Sequence, residues 1–352
     1  MTVHRDLIFW TIVLIVIVFL LWLLSDILLP FVAGIALAYL QAPLADWLER
    51  RGMKRMPAAF LIVSAAVLAI IFLALLLLPI LSDQAHALVA SLPGYITRLK
   101  DLLAHPDWPW LDPIIGDDSS KTLSALATQG TGYLAGFLQS LWSGGKAVVS
   151  FISLIVIMPV VTFYLICDWH QMIKTLDGWV PRQSCRPVHQ IVGEIDAAIS
   201  GFVRGQAGIC LILSVYYAIA LSLTGLNFAL LIGLLAGLLS FLPFVGSALG
   251  LFIGLSVAVG QFWPDWGPIA AVTAVFLIGQ FIGGYVLSPV LVGDHVGLHP
   301  VWLIFATLAF GYLFGFVGLL VAVPLGAAIA VLFRFSLRYY LDSPLYRGEE
   351  SH

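Results

Sequence analysis

Between Arg204 and Arg334 the chain carries no lysine or arginine, and its only carboxylates there are Asp265 and Asp294. A water-facing surface cannot be built from so few charges, so this stretch must meet an apolar solvent. The whole composition agrees: 61% of the 352 residues are hydrophobic and 10% charged, where a soluble domain carries roughly 25% charged residues. Lipid gives the backbone no hydrogen-bond partners, so spanning segments must be helices or a closed barrel. Barrel strands alternate apolar and polar residues, and runs such as residues 8–24 do not. The fold class is therefore all-α, a polytopic helical membrane protein.

The net charge of -3 is small and scattered, which excludes a nucleic-acid partner, since that needs a clustered basic face. Three cysteines, Cys167, Cys185 and Cys210, have no metal-ligand spacing and read as free thiols or small apolar residues. His4 and Arg5 precede an apolar run as in a secretory signal, but no cleavage pattern follows and a second apolar run begins after Ser25 and Asp26. An uncleaved first span is expected, and runs 7–24 and 27–40 together are expected to form a helical hairpin.

Six segments follow from composition. Residues 1–81 hold the N-terminal spans. Residues 82–146 mix charges with Pro and Trp, and Val89, Leu92, Ile96, Leu99 and Leu103 recur at helical spacing, as in amphipathic helices on the extracytoplasmic surface. Residues 147–167 cross back, and 168–206 form a cytoplasmic amphipathic segment carrying Lys174, Arg182, Arg186 and Arg204. Residues 207–335 are a Gly/Pro-rich transport region, and 336–352 a tail. The basic cluster Arg50, Arg51, Lys54, Arg55 and the tail cations Arg334, Arg338 and Arg347 belong in the cytoplasm by the positive-inside rule, and an even number of crossings before the first cluster places the N-terminus there too.

Within the transport region, apolar blocks 228–260 and 301–335 are each too long for one span, and each is interrupted near its middle. Leu242-Pro243-Phe244-Val245-Gly246 and Phe314-Gly315-Phe316-Val317-Gly318 both contain Phe-Val-Gly. Each block is expected to be a helical hairpin, and the single crossing 268–287 between them makes the pair inverted, the geometry that brackets a transporter site near the midplane. Chance recurrence in a Gly-rich chain is a comparable explanation. Eight helices with re-entrant hairpins and ten full spans fit equally well.

The run Tyr285-Val286-Leu287-Ser288-Pro289-Val290-Leu291-Val292-Gly293-Asp294-His295-Val296-Gly297-Leu298-His299-Pro300, followed by the block ending Ala322-Val323-Pro324, resembles the autoinducer-2 exporter family of bacterial permease-like proteins. Phe202-Val203-Arg204-Gly205-Gln206 and Leu242-Pro243-Phe244-Val245-Gly246 support the match. The resemblance covers nearly the whole chain. It implies an inner-membrane protein of about eight helices that exports autoinducer-2 or, in other members, exchanges sodium for protons.

Several residues are candidates for the transport path. Pro243, Phe244 and Gly246 in the first hairpin, and Gly315, Gly318 and Pro324 in the second, would break helices and free backbone groups for a solute, the plain alternative being tight turns with no ligand. Asp294 costs on the order of 3 kcal/mol at a bilayer centre, so it belongs in a wet cavity or a loop mouth. There it either couples a proton or cation, together with His295 or His299, or only caps a helix; the two roles weigh evenly. Gly293 adjoins it. Zinc is not expected at the two histidines, because Gly297 separates them, and His299-Pro300 more simply sets a helix start. Gln206 and Gln280 need partners in apolar surroundings, between helices or from solute. Asn227 opens the first hairpin, as solute contact or as a cap, and Arg204, beside Gly205, anchors at headgroups by snorkelling.

No hydrolase elbow, nucleotide loop or dinucleotide fingerprint occurs. The expected function is a secondary transporter or facilitator, not an enzyme, working without a cofactor. Its partners would be membrane lipids, a small polar solute, H+ or Na+ as coupling ion, and further copies of itself in a homo-oligomer. A sodium/proton antiporter is the alternative, and a membrane scaffold without flux is the alternative of another class.

Overall fold

The computed structural model describes residues 18–104, 145–179, 185–242, 245–293 and 299–341, with isolated positions at 12, 13, 16 and 346. The Trp-rich tract at 105–110, Pro243, Phe244, Asp294, His295 and Arg347 lie outside the described residues. Among the described residues there is no strand. The elements are α1 (Ser25–Arg50), α2 (Arg55–Ala104), α3 (Gly145–Asp177), α4 (Cys185–Leu223), α5 (Ala229–Leu239), α6 (Val245–Phe262), α7 (Trp266–Phe281), a π-helix (Ile282–Val292) and a helical stretch Pro300–Leu341. Among the described residues six helical segments are long and apolar enough to cross a membrane. Large apolar side chains such as Phe72, Leu75 and Val290 stand exposed on them, as lipid-facing residues would.

The hairpin expected at Ser25-Asp26 is corrected. Only Leu24, at φ -96° and ψ 9°, separates residues 18–23 from α1. Its N–H donates to Leu20 O at 2.9 Å, and its carbonyl accepts from Leu28 N at 3.2 Å. Helical bonds on both sides of one residue bend the chain but cannot reverse it. The crossing count that returned the N-terminus to the basic side loses its hairpin. A second difference lies at residue 82, where composition shifts and the backbone does not: α2 runs unbroken from Arg55 to Ala104.

The chain divides into two compact units, interleaved in sequence. The first comprises Met1–Val67, Ile152–Gln206 and Leu291–His352. Here α1 ends in a Schellman motif: Gly52, at φ 94°, donates to Glu49 O and Met53 donates to Leu48 O, which turns the chain into α2. Arg55 then locks the corner. Its Nε donates to Ile166 O at 2.7 Å, and its Nη1 reaches Glu49 at 2.8 Å and Asp46 at 3.3 Å. Small residues let the helices close: Ala45 and Ala59 are almost fully buried beside Ile62, Val63 and Ile166. Thr162, also buried, donates to Gly34 O at 3.0 Å and ties α3 to α1.

The second unit comprises Leu68–Phe151 and Ala207–Val290. Its centre is Tyr217 on α4, fully buried, with its ring 5.1 Å from that of Phe276 on α7. Gly233 and Gly237 of α5 sit directly on the α4 backbone at Ala218 and Ser214, and Gly279 of α7 sits on the Tyr217 ring. A Cβ at any of these would collide, so the approach depends on small residues as it does in membrane bundles generally.

Candidate transport site

The first hairpin is present in the second unit. Antiparallel return is fixed by its contacts: a Cβ on Gly250 would lie 2.5 Å from Ala236 Cβ, one on Gly254 3.7 Å from Ile232, and one on Gly246 2.6 Å from Leu239 O. Paired residues therefore step backward along α5 as they step forward along α6. The first limb, α5, has 11 residues, a rise of about 16 Å, against a hydrocarbon core of about 30 Å. Alone it cannot cross.

The second hairpin belongs to the first unit. Pro300–Leu341 is helical on both sides of Gly315, which itself has φ 59° and ψ -137°. That is the mirror image of extended backbone, open to glycine and closed to L side chains. The chain turns back there, because Gly318 rests on the Phe310 carbonyl and Gly311 on the Leu319 side chain. The stretch is two helices, α8 (residues 300–314) and α9 (residues 316–341). Pro324 lies inside α9, where it has no N–H to offer the Leu320 carbonyl. In both hairpins the Gly of Phe-Val-Gly, Gly246 or Gly318, is where the returning limb first meets the outgoing backbone.

Between the hairpins in sequence, α7 widens into the π-helix Ile282–Val292, with Pro289 inside it, and Gly293 closes it at φ 60°. Long π stretches are rare and concentrate at functional sites. In the first unit its last turn meets a second motif: Gly205 lies against Leu291 O, and a Cβ there would come 2.8 Å from Val292 Cγ2. Arg204 donates from Nε to Tyr39 O at 2.9 Å, a specific contact beyond headgroup anchoring. Gln206 is buried, whereas Gln280 is exposed. His299 receives Val301 N–H on its ring at 3.3 Å, and its carbonyl accepts from Trp302 at 2.9 Å, so it starts α8.

Asn227 does not cap α5. Phe228, at φ 60°, holds the cap position without a side-chain bond. The orphan amide of Leu231 is instead satisfied by Gln84 Oε1 of α2 at 3.0 Å. Asn227 N–H donates to Gln261 Oε1 at 2.7 Å, Gln261 Nε2 donates to Gly225 O at 2.9 Å, and Asn227 Nδ2 reaches Tyr95 OH at 3.5 Å. Gln84, Tyr95 and Gln261 thus close the mouth of the first hairpin. The isolated Gln84 and Gln261 beside apolar runs were the available signal for them. Ser214 and Tyr217, one turn apart on α4, bury hydroxyls that have no partner among the described residues. Among the described residues no three His, Cys, Asp or Glu converge as metal ligands.

Broken, glycine-crossed hairpins on a polytopic helical scaffold define a multi-pass membrane transporter. Residues 11–338 match the family described as AI-2E family transporter, and the chain belongs to that family. It is 29% identical over 328 residues to YrrI of Bacillus subtilis (strain 168), a transport protein by name, with 90% of this chain and 89% of that one covered. It is 28% identical over 312 residues to PerM of Escherichia coli (strain K12), a permease by name, with 87% and 86% covered.

Proposed function

We propose that the protein is a secondary transporter or facilitator of the bacterial inner membrane that exports a small polar solute, autoinducer-2 being one such solute. It is not an enzyme. The observation that carries this reading is the shared construction of the two hairpins, in which the glycine of the repeated motif, Gly246 or Gly318, rests on the outgoing backbone. Their first limbs are short, which favours re-entrant hairpins over full spans. Read as the inverted repeats expected from the sequence, the hairpins would support alternating access, each with freed backbone groups of its own, near Gly246 in one and near Gly315, Gly318 and Pro324 in the other. The buried hydroxyls of Ser214 and Tyr217 offer further polar contacts. No nucleotide-binding loop occurs, so uphill movement would draw on a proton or sodium gradient, with Asp294 as the coupling group. The basic corner at residues 50–55 and the tail cations would face the cytoplasm, and small interhelical residues with amphipathic surface segments would suit a homo-oligomer.

The test is solute flux in liposomes holding the purified protein, with and without pH and sodium gradients. Outward movement of a polar solute that Gly246→Leu removes while expression persists is the expected result. Proton movement driven by a sodium gradient alone would replace export with antiport. Absence of flux for every solute and ion would leave the scaffold.

A further inference from the structure

Apart from the hairpins, the first unit contains a cavity of about 200 Å³ walled by α1, α2, α3 and α4. It lies beside the basic corner, with Arg55 in its wall. Four of its lining residues are formally charged: Asp46, Arg55, Asp196 and Arg204. Arg55 and Asp46 are committed to each other, and Arg55 also to Glu49 and the Ile166 carbonyl. Arg204 and Asp196 remain, one cation and one anion.

These two do not pair. They stand eight residues apart on α4, about 12 Å of axial rise, and Tyr39 holds them separate. Its backbone carbonyl accepts from Arg204 Nε at 2.9 Å, while its hydroxyl donates to Asp196 Oδ1 at 2.9 Å. Among the described residues each makes that one side-chain bond, whereas a guanidinium has five N–H donors and a carboxylate about four acceptor sites. Trp169, edge-on to the Tyr39 ring at 5.8 Å, adds an aromatic wall that suits an ammonium group. Ile35, also on the wall, is 43% exposed and gives the cavity an apolar flank. A volume of 200 Å³ equals several waters at about 30 Å³ each, too large for a bare ion.

We propose that this cavity binds an elongated zwitterion, with its phosphate on Arg204 and its primary amine on Asp196. Phosphoethanolamine chemistry meets both ends, as the headgroup of a membrane lipid or as a soluble molecule. The site is independent of the transport path proposed above, and its test requires no flux.

Native mass spectrometry and thermal unfolding of the purified full-length protein would be followed with phosphatidylethanolamine, phosphatidylcholine, phosphatidylglycerol and soluble O-phosphoethanolamine. Phosphatidylethanolamine should be retained at least tenfold better than phosphatidylcholine, whose amine cannot donate, and than phosphatidylglycerol, which has none. Asp196→Asn, which keeps an acceptor for Tyr39, should remove most of that preference, and Arg204→Gln should lower retention of all three lipids and of O-phosphoethanolamine, since each carries the phosphate. Binding of soluble O-phosphoethanolamine with no preference among the lipids would assign the site to a soluble ligand. Equal retention of the three lipids together with no O-phosphoethanolamine binding, on the unaltered protein, overturns the proposal. So does a preference for phosphatidylethanolamine that Asp196→Asn keeps, or a retention that Arg204→Gln leaves unchanged.

Discussion

Gly318 and Phe310 are in backbone contact although eight residues separate them, a distance of about 12 Å along a straight helix. The glycine meets the carbonyl so closely that a Cβ would overlap its oxygen. Gly246 stands in the same relation to the Leu239 carbonyl and the Ser240 amide. Neither backbone can yield without opening its hairpin.

Gly318→Ala and Gly246→Ala should therefore each destabilise the detergent-solubilised protein, by about 1–3 kcal/mol, the range for overpacking a tight site. Gly284 in the π-helix provides the matched control, since nothing lies within 4 Å of a Cβ there. Gly284→Ala should stay within about 1 kcal/mol of the parent. Equal melting temperatures for all three variants would show that the crossings carry no steric constraint.

Gly315 presents the opposite case, conformation without crowding. A Cβ there meets nothing within 4 Å, but the backbone sits at φ 59°, ψ -137°. Gly315→Ala should cost about 1–3 kcal/mol from the dihedrals alone. Asn should not rescue it, because Asn tolerates the left-handed helical region and not this one. At Gly52, whose φ of 94° closes a Schellman turn, Asn should perform nearly as well as Gly. Thermal unfolding of the four single variants, Ala and Asn at each site, separates the two kinds of glycine.

Arg55 makes bonds that lysine cannot reproduce together. Its side chain is 16% exposed and its planar fork serves Ile166 O, Asp46 and Glu49. Arg55→Lys keeps the charge but strands the Ile166 carbonyl or the carboxylates, for a loss of about 1–3 kcal/mol. High salt should reduce the difference only slightly, since the carbonyl bond is shielded from solvent. A melting-temperature gap that vanishes in molar salt would mean the corner is held by surface charge alone.

The reversals at 240–246 and 314–318 were legible in sequence because an apolar block too long for one span carried a repeated tripeptide at its middle. Ser25-Asp26 misled for the converse reason: two polar residues mark a composition change, but without Gly or Pro they leave the bonds of Leu24 to Leu20 and Leu28 in place. At residue 82 even a nearby proline does not end α2: Ser82 returns its hydroxyl to Pro79 O at 2.8 Å and the helix continues. The contacts between Tyr39 and residues 196 and 204 had no sequence signal, because they join positions more than 150 residues apart. Gly283, Gly284 and Pro289 mark a weak point in α7, but widening to a π-helix rather than kinking depends on neighbours that local sequence does not name.

The cap on α5 extends that lesson to a measurement. Leu231 N–H is an orphan of the first turn, and the residue that satisfies it, Gln84, lies on another helix. Gln84→Ala leaves that amide without its acceptor, at a cost of about 1–3 kcal/mol for an unsatisfied buried donor. Loss should be local, because α5 is otherwise held by Gly233 and Gly237 on α4. Hydrogen exchange should accelerate at residues 229–233 and stay unchanged at 250–258 on the returning limb. Gln261→Ala, which frees Asn227 N–H and Gly225 O at the mouth, should add to that fraying rather than duplicate it, since the two glutamines share no partner. Faster exchange along the whole hairpin in either variant would mean that the mouth, and not the glycine crossings, holds the hairpin closed.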